Sequence, residues 1–258
     1  MNAPLAGQLK RNKISEIIFI SDGILRNVPM EALTTNEGKY LLEEYAIAYQ
    51  IGLKSLDFKI PRQAPTSLLA GTSEFLLPFQ SLAEIAKEIK IVSKLVNNPA
   101  ILLNKEFTES NLKTSLQNNN HSIIHLATHG IFEGSAENSF LLTYDEKIPL
   151  DELTDLLLLS QEPIGLLVLT ACETAEGSEL APLGIAGTGV RAGAANILAT
   201  LWEINDLQTV LFVEEFYRQL NQGKSIAKAK QAAQLSQKEQ HPGYWASFIH
   251  FQFETDQN

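Results

Sequence analysis

One histidine and one cysteine each stand just after an apolar run that is typical of a buried β-strand. His129 follows the run 122–128, and Cys172, the single cysteine of the chain, follows the run 166–171. Ligands of open α/β sheets bind outside the carboxyl ends of the strands, so we expect both side chains at one edge of a sheet. A thiol beside an imidazole can act as a nucleophile with its general base.

A second histidine lies on the same predicted strand. Side chains alternate along a strand, so His125 and His129 should face the same side, about 13 Å apart at ~3.3 Å per residue. Only one of them can therefore reach a single thiol. His125 lies between apolar neighbours and is predicted to be a hydrogen-bonded core histidine, which leaves His129 as the candidate base. The alternative for Cys172 is a buried structural thiol, the commonest environment of a cysteine.

The residue after the candidate base has no side chain. At Gly130 a substrate backbone can approach closely, and the peptide N–H groups of Gly130 and Cys172 are candidate donors to an oxyanion. Alternatively, Gly130 only forms a turn. Motifs of other chemistries are missing: the sequence has no CxxC, HExxH, EF-hand or GxSxG pattern. The glycines of segment 184–193 fit neither a dinucleotide nor a phosphate-binding loop. We therefore expect no metal and no cofactor.

Two acidic residues follow a further predicted strand, 196–201. Glu203 and Asp206 should reach the same edge of the sheet, where either could bind a basic side chain of a substrate. Asp206 has a second interpretation as the N-cap of the helix that follows it.

Composition restricts the class of protein. The chain has 258 residues, 45% of them hydrophobic, and a net charge of −10. This size favours one large α/β domain or a domain with a small appendage. The negative charge disfavours nucleic acid as a partner and is compatible with basic substrates. A lone thiol fits a reducing compartment, and no apolar run approaches the ~18 residues of a membrane span. We expect a cytoplasmic protein that does not enter a membrane.

Strand and helix patterns alternate along most of the chain. Residues 1–62 are predicted to form a small β-rich subdomain, and residues 63–258 the main domain. Alternation of this kind predicts a mostly parallel sheet covered by helices on both faces. Ser81 and Glu84 have the spacing of a capping box, which predicts that a helix begins there.

Five segments together resemble the CHAT family of caspase-like peptidases. They are the opening segment 18–29, the histidine motif 125–130, the cysteine motif 169–174, the segment 194–202 and the closing segment 241–246. Cys172 follows His129 by 43 positions, which is also close to the caspase spacing of roughly 50. The resemblance covers nearly the whole chain.

This resemblance implies a caspase–hemoglobinase fold and an endopeptidase dyad of His129 and Cys172, with Gly130 as an oxyanion donor. It also implies a protein substrate and, because family members usually follow tetratricopeptide repeats, regulation by such a repeat protein or segment. The chain itself has no 34-residue period. Two alternatives remain: a signalling or scaffold module with a latent or inactive site, and acyl transfer to a small amine by the same dyad.

Overall fold

A computed structural model describes residues 5–35, 37–52, 66–76, 79–132, 139–174, 181–202, 204 and 206–253. The strands are β1 (Glu16–Phe19), β2 (Ala46–Tyr49), β3 (Ser67–Gly71), β4 (Pro99–Leu103), β5 (Ile123–Phe132), β6 (Phe140–Leu142), β7 (Lys147–Pro149), β8 (Leu166–Thr174), β9 (Asn196–Thr200) and β10 (Phe248–Gln252). The α-helices are α1 (Ala6–Arg11), α2 (Leu41–Glu44), α3 (Ile85–Val92), α4 (Glu109–Asn118), α5 (Leu150–Leu157), α6 (Ala181–Arg191), α7 (Asp206–Asn221), α8 (Ile226–Ser236) and α9 (Pro242–Trp245). Short 3₁₀ segments occupy Gly23–Asn27, Met30–Ala32 and Asn104–Glu106.

All of these strands belong to one sheet. Its order is β1-β2-β10-β9-β8-β5-β3-β4, and the β6–β7 hairpin extends from β5. Neighbouring strands of this path are parallel except β10 and β9. The prediction of a mostly parallel sheet is therefore confirmed, and the parallel strands β5 and β8 are direct neighbours at its centre.

Two apolar cores lie on the two faces of the sheet. Helices α4, α5 and α6 contribute to the core on one face, and helices α3, α7 and α8 contribute to the core on the other. The predicted cover of helices on both faces is thus confirmed. Within the described ranges, none of the helices combines the length and the apolar character that crossing a membrane requires.

The first two strands join the same sheet as the rest of the chain. β1 pairs with β2, and β2 pairs with β10 near the C-terminus. The predicted domain boundary between residues 62 and 63 lies outside the described residues, so the division into residues 1–62 and 63–258 remains a prediction.

The glycine-rich helix α6 packs closely on strand β9. A Cβ added at Gly189 would lie 1.8 Å from Cδ1 of Ile197, whereas one added at Gly187 would meet only Arg191 Nη1, at 3.9 Å. We expect Gly189→Ala to lower the free energy of unfolding by about 1–3 kcal/mol, because a packed core resists added volume. Gly187→Ala is the control in the same helix and should raise it by up to about 1 kcal/mol. Denaturant unfolding measures both, and equal effects would contradict this packing.

A buried polar group connects the N-terminal segment to helix α8. Lys230 and Glu31 are both fully buried and form an ion pair. The Tyr49 hydroxyl donates to Glu31 Oε2 at 2.6 Å and accepts from the Met30 N–H at 2.7 Å. Burial lowers the pKa of Lys230 despite the neighbouring charge of Glu31. Because Glu31 precedes β2 and Lys230 lies on α8, the pair links the N-terminal segment to this helix.

A buried histidine on β10 makes folding sensitive to acid. Burial, and secondarily the charge of Lys230, lower the pKa of His250 to about 3. The unfolded chain takes up this proton near pH 6.5, so the stabilisation is complete above that pH and is lost as pH falls toward 3. We expect the protonation of this histidine to lower the free energy of unfolding by about 1.4 kcal/mol for each unit that the pH falls between roughly 6 and 4.

The comparison of wild type with His250→Gln isolates this titration. Urea unfolding at a series of pH values should show a shallower acid decline in the variant, whatever its stability at pH 7. Parallel declines in the two proteins would contradict the assignment.

Candidate active site

The histidine and cysteine motifs meet across the central strand pair. From Ile123 to Ala127, β5 pairs with β8 in regular register, and Ala127 lies opposite Thr170. The register then shifts, and Gly130 lies opposite Cys172. Two residues of β5, Thr128 and His129, therefore face one residue of β8, as in a β-bulge. Bulges redirect side chains next to functional sites, and this one places His129 beside the backbone partner of Cys172.

Both strands continue beyond the predicted site residues. β5 extends to Phe132 and β8 to Thr174, so the prediction that each strand ends at its histidine or cysteine is wrong. β5 continues because β6 pairs antiparallel with Gly130 and Ile131 where β3 has ended, and β8 continues because it pairs with this part of β5. The Thr128 hydroxyl donates to the Leu142 carbonyl of β6 at 2.9 Å and fixes the bulge.

One nitrogen of the His129 ring forms a hydrogen bond with a backbone carbonyl. Nε2 lies 2.8 Å from the carbonyl oxygen of Gln80, in the loop between β3 and α3. A carbonyl only accepts, so Nε2 carries the proton and Nδ1 carries the lone pair of the neutral ring. The contact therefore selects the tautomer in which Nδ1 can take a proton.

The predicted capping box of Ser81 and Glu84 does not form, and Ser81 lies in the loop that carries Gln80. Helix α3 begins only at Ile85, and the Ser81 hydroxyl donates to the Ser73 carbonyl at 2.6 Å instead of capping the helix. Glu84 pairs with Lys87 at 2.9 Å. Ser81 thus closes the loop on itself and holds the neighbouring Gln80 carbonyl at His129.

Aromatic rings surround the His129 imidazole. The ring centroids of Phe75 and Phe79 lie 5.3 Å and 6.1 Å from the imidazole centroid. Phe79 also contacts Phe140 of β6, and the Lys147 ammonium lies 4.2 Å from the Phe140 ring centroid. This aromatic wall restricts the rotation of the imidazole.

His125 has the role that the sequence predicts for it. The ring is fully buried, with Nε2 2.8 Å from Glu88 Oε1 and Nδ1 3.0 Å from the Tyr217 hydroxyl. The same Glu88 oxygen accepts from the Thr170 hydroxyl at 2.8 Å. Burial, and then the charge of Glu88, raise the pKa of Tyr217, so the phenol stays neutral. This network joins α3, β5, α7 and β8 below the candidate site.

Three predicted site side chains are not described. The backbone of Cys172 lies in β8 and that of Asp206 begins α7, but their side chains, and the whole of Glu203, lie outside the described residues. Their roles remain predictions. The Gln80 carbonyl and the aromatic wall are groups that the sequence analysis missed. Any residue type can supply a carbonyl, so no sequence signal marks it, whereas the phenylalanines 75 and 79 lie just after β3.

Solved structures of other proteins show which fold this chain shares. A separase in complex with securin, from Saccharomyces cerevisiae, matches with a TM-score of 0.57 and 14% identity over 95% of this chain. The Arg-specific cysteine proteinase gingipain R matches with a TM-score of 0.52 and 9% identity over 81% of this chain. The chain corresponds to 16% of the separase chain and 54% of the gingipain chain. The fold is therefore that of the caspase-like cysteine peptidases.

Within this class, the sequence pattern of the CHAT domain matches residues 1–252. The chain belongs to the CHAT domain family, as the five motif segments predict. No curated protein matches it.

Proposed function

We propose that the chain is a cysteine endopeptidase with His129 as general base and Cys172 as nucleophile. The observation that carries the proposal is the register of β5 and β8, which pairs Gly130 with Cys172 and places His129 next to that pair. The hydrogen bond from His129 to the Gln80 carbonyl supports it, because this bond leaves Nδ1 as the basic nitrogen.

The proposed reaction has two stages. Nδ1 of His129 takes the thiol proton, and the Cys172 sulfur attacks a peptide carbonyl, whose oxyanion is held by the N–H groups of Gly130 and Cys172. The intermediate collapses to a thioester as the amine leaves with the proton from His129. Water, deprotonated by the same nitrogen, then hydrolyses the thioester and restores the thiol. The carbonyl of Gln80 stabilises the imidazolium that forms in each stage.

We infer that the substrate is a protein cut after a basic residue. Asp206 begins α7 just beyond β9, and Glu203 lies in the preceding connection, so both follow a strand adjacent to β8. The net charge of −10 favours a basic substrate. Gingipain R, a protein of similar fold, is Arg-specific. Separase forms a complex with securin, and we propose a protein partner for this chain too, with a tetratricopeptide-repeat protein or segment as regulator. Cleavage inside the cell, in the cytoplasm, agrees with the lone thiol.

The rate of alkylation of Cys172 by iodoacetamide tests the dyad without a known substrate. Since Cys172 is the single thiol, the reagent reports on one site. A thiolate stabilised by an imidazolium should react well below the usual thiol pKa of ~8.5, giving a rate that stays nearly constant from about pH 7 to 9. A rate that instead rises about 25-fold between pH 7 and 9, following the ionisation of a thiol of pKa ~8.5, would indicate an ordinary thiol and favour the scaffold alternative.

A further inference from the structure

A cavity lies at the end of the central strands that is opposite the candidate active site. It has a volume of about 370 Å³ and is lined by Ile123 and Leu166, the first residues of β5 and β8. Leu220 of α7 and Ile226 of α8 complete its apolar walls. Gly130 and Cys172 stand near the carboxyl ends of the same two strands, so this cavity is separate from the candidate active site.

The cavity is lined by uncharged residues. None of the described residues that line the cavity is acidic or basic; the polar ones include Ser122, Asn97 and Asn221. The two asparagines are exposed, whereas Leu166 is 3% exposed. An ion placed against the apolar part of this lining would lose part of its hydration without a compensating charge, so the lining favours a neutral ligand. Neutral amide and hydroxyl groups at the rim can instead pair with one polar end of a ligand.

The wall of the cavity also contacts the buried network. Tyr217 lines the cavity, is 1% exposed, and hydrogen-bonds through its hydroxyl to Nδ1 of His125. That network continues through Glu88 to Thr170, two residues before Cys172. A molecule in the cavity would therefore pack against the outer side of this network.

We propose that this cavity binds a neutral, mostly apolar small molecule with a single polar end. Its volume lies in the range of small-molecule sites, roughly 300–1,000 Å³, and is more than twice the ~150 Å³ cavity that accepts benzene. A fused pair of aromatic rings, or a medium-length aliphatic chain, matches this space. The proposal concerns binding alone and does not depend on peptidase activity.

1-Naphthol and 1-naphthoate form a matched pair of probes. They share the fused rings, but at pH 7 the first is neutral and the second is an anion. Isothermal titration of the intact chain should give saturable binding of one 1-naphthol, with a dissociation constant below about 1 mM. The carboxylate should bind at least about tenfold more weakly, since the lining offers it no cation. Absent saturation, or equal affinity for both probes, would overturn the proposal.

Variants with a larger side chain in the cavity test whether 1-naphthol binds there. Leu220→Trp should weaken 1-naphthol binding at least about tenfold, because the larger side chain occupies the space. Leu158→Trp is the control: Leu158 is 56% exposed and follows α5, on the opposite face of the sheet. Ile226→Phe provides a second filled variant if Leu220→Trp does not fold. Unchanged affinity in a folded filled variant would also overturn the proposal.

Discussion

His129→Ala is expected to slow alkylation of Cys172 at least about tenfold at pH 6, and to make it faster than wild type above about pH 9. Without the imidazolium, the thiol returns to a pKa of ~8.5 and is ionised in only ~0.3% of molecules at pH 6. The thiolate of the dyad is more abundant at pH 6 but intrinsically less nucleophilic, since reactivity falls with pKa along a Brønsted slope of about 0.4–0.5. The two rate profiles should therefore cross.

His241→Ala is the control for this experiment. His241 is exposed and caps its own helix by accepting from the Gly243 N–H at 3.1 Å, remote in sequence from both motifs. Its replacement should leave the alkylation profile of Cys172 unchanged. Coincident profiles for wild type and His129→Ala would remove the dyad from the proposed mechanism and leave the non-catalytic alternative.

Apolar patterning predicts the sheet and its helices well because each strand is short and bounded by turn signals. It fails where the backbone pairing of two strands does not follow from the pattern of apolar side chains in either strand. Nothing in the run 122–132 marks the shift between Ala127 and Gly130, because a bulge is a property of the strand pair and not of one strand. The sequence therefore predicts that the strands end at His129 and Cys172, whereas β5 continues along β6 and β8 continues along β5.

In the candidate site too, the sequence identifies side chains but not the backbone groups that contact them. Residue type and neighbours suffice to separate His125, an imidazole flanked by apolar residues, from His129. Neither reveals that a carbonyl 49 positions earlier accepts from the His129 ring. A backbone acceptor carries no residue preference, and Ser81, which holds that loop, has the sequence pattern of a helix cap. Groups that act through the backbone can be found only from the fold.

Lys230→Ala is expected to lower the free energy of unfolding by about 3–5 kcal/mol, since removing one partner leaves the other charge buried and uncompensated. Glu31 would keep the Tyr49 hydroxyl as a donor but no cation. Glu31 also lies just after the opening segment 18–29, so its release should loosen the segment that the family motif marks. Urea unfolding followed by circular dichroism measures the loss.

Lys238→Ala provides the matched control, because Lys238 pairs with Glu43 at 3.1 Å near the surface. An exposed pair of this kind contributes at most about 1 kcal/mol. Replacing both Lys230 and Glu31 by methionine should cost less than Lys230→Ala alone, because no unpaired charge then remains in the core. If the double variant were instead less stable than the single one, the pair itself would be the source of stability. The cost of Lys230→Ala would then measure a favourable attraction between the two charges and not the burial of an orphaned carboxylate.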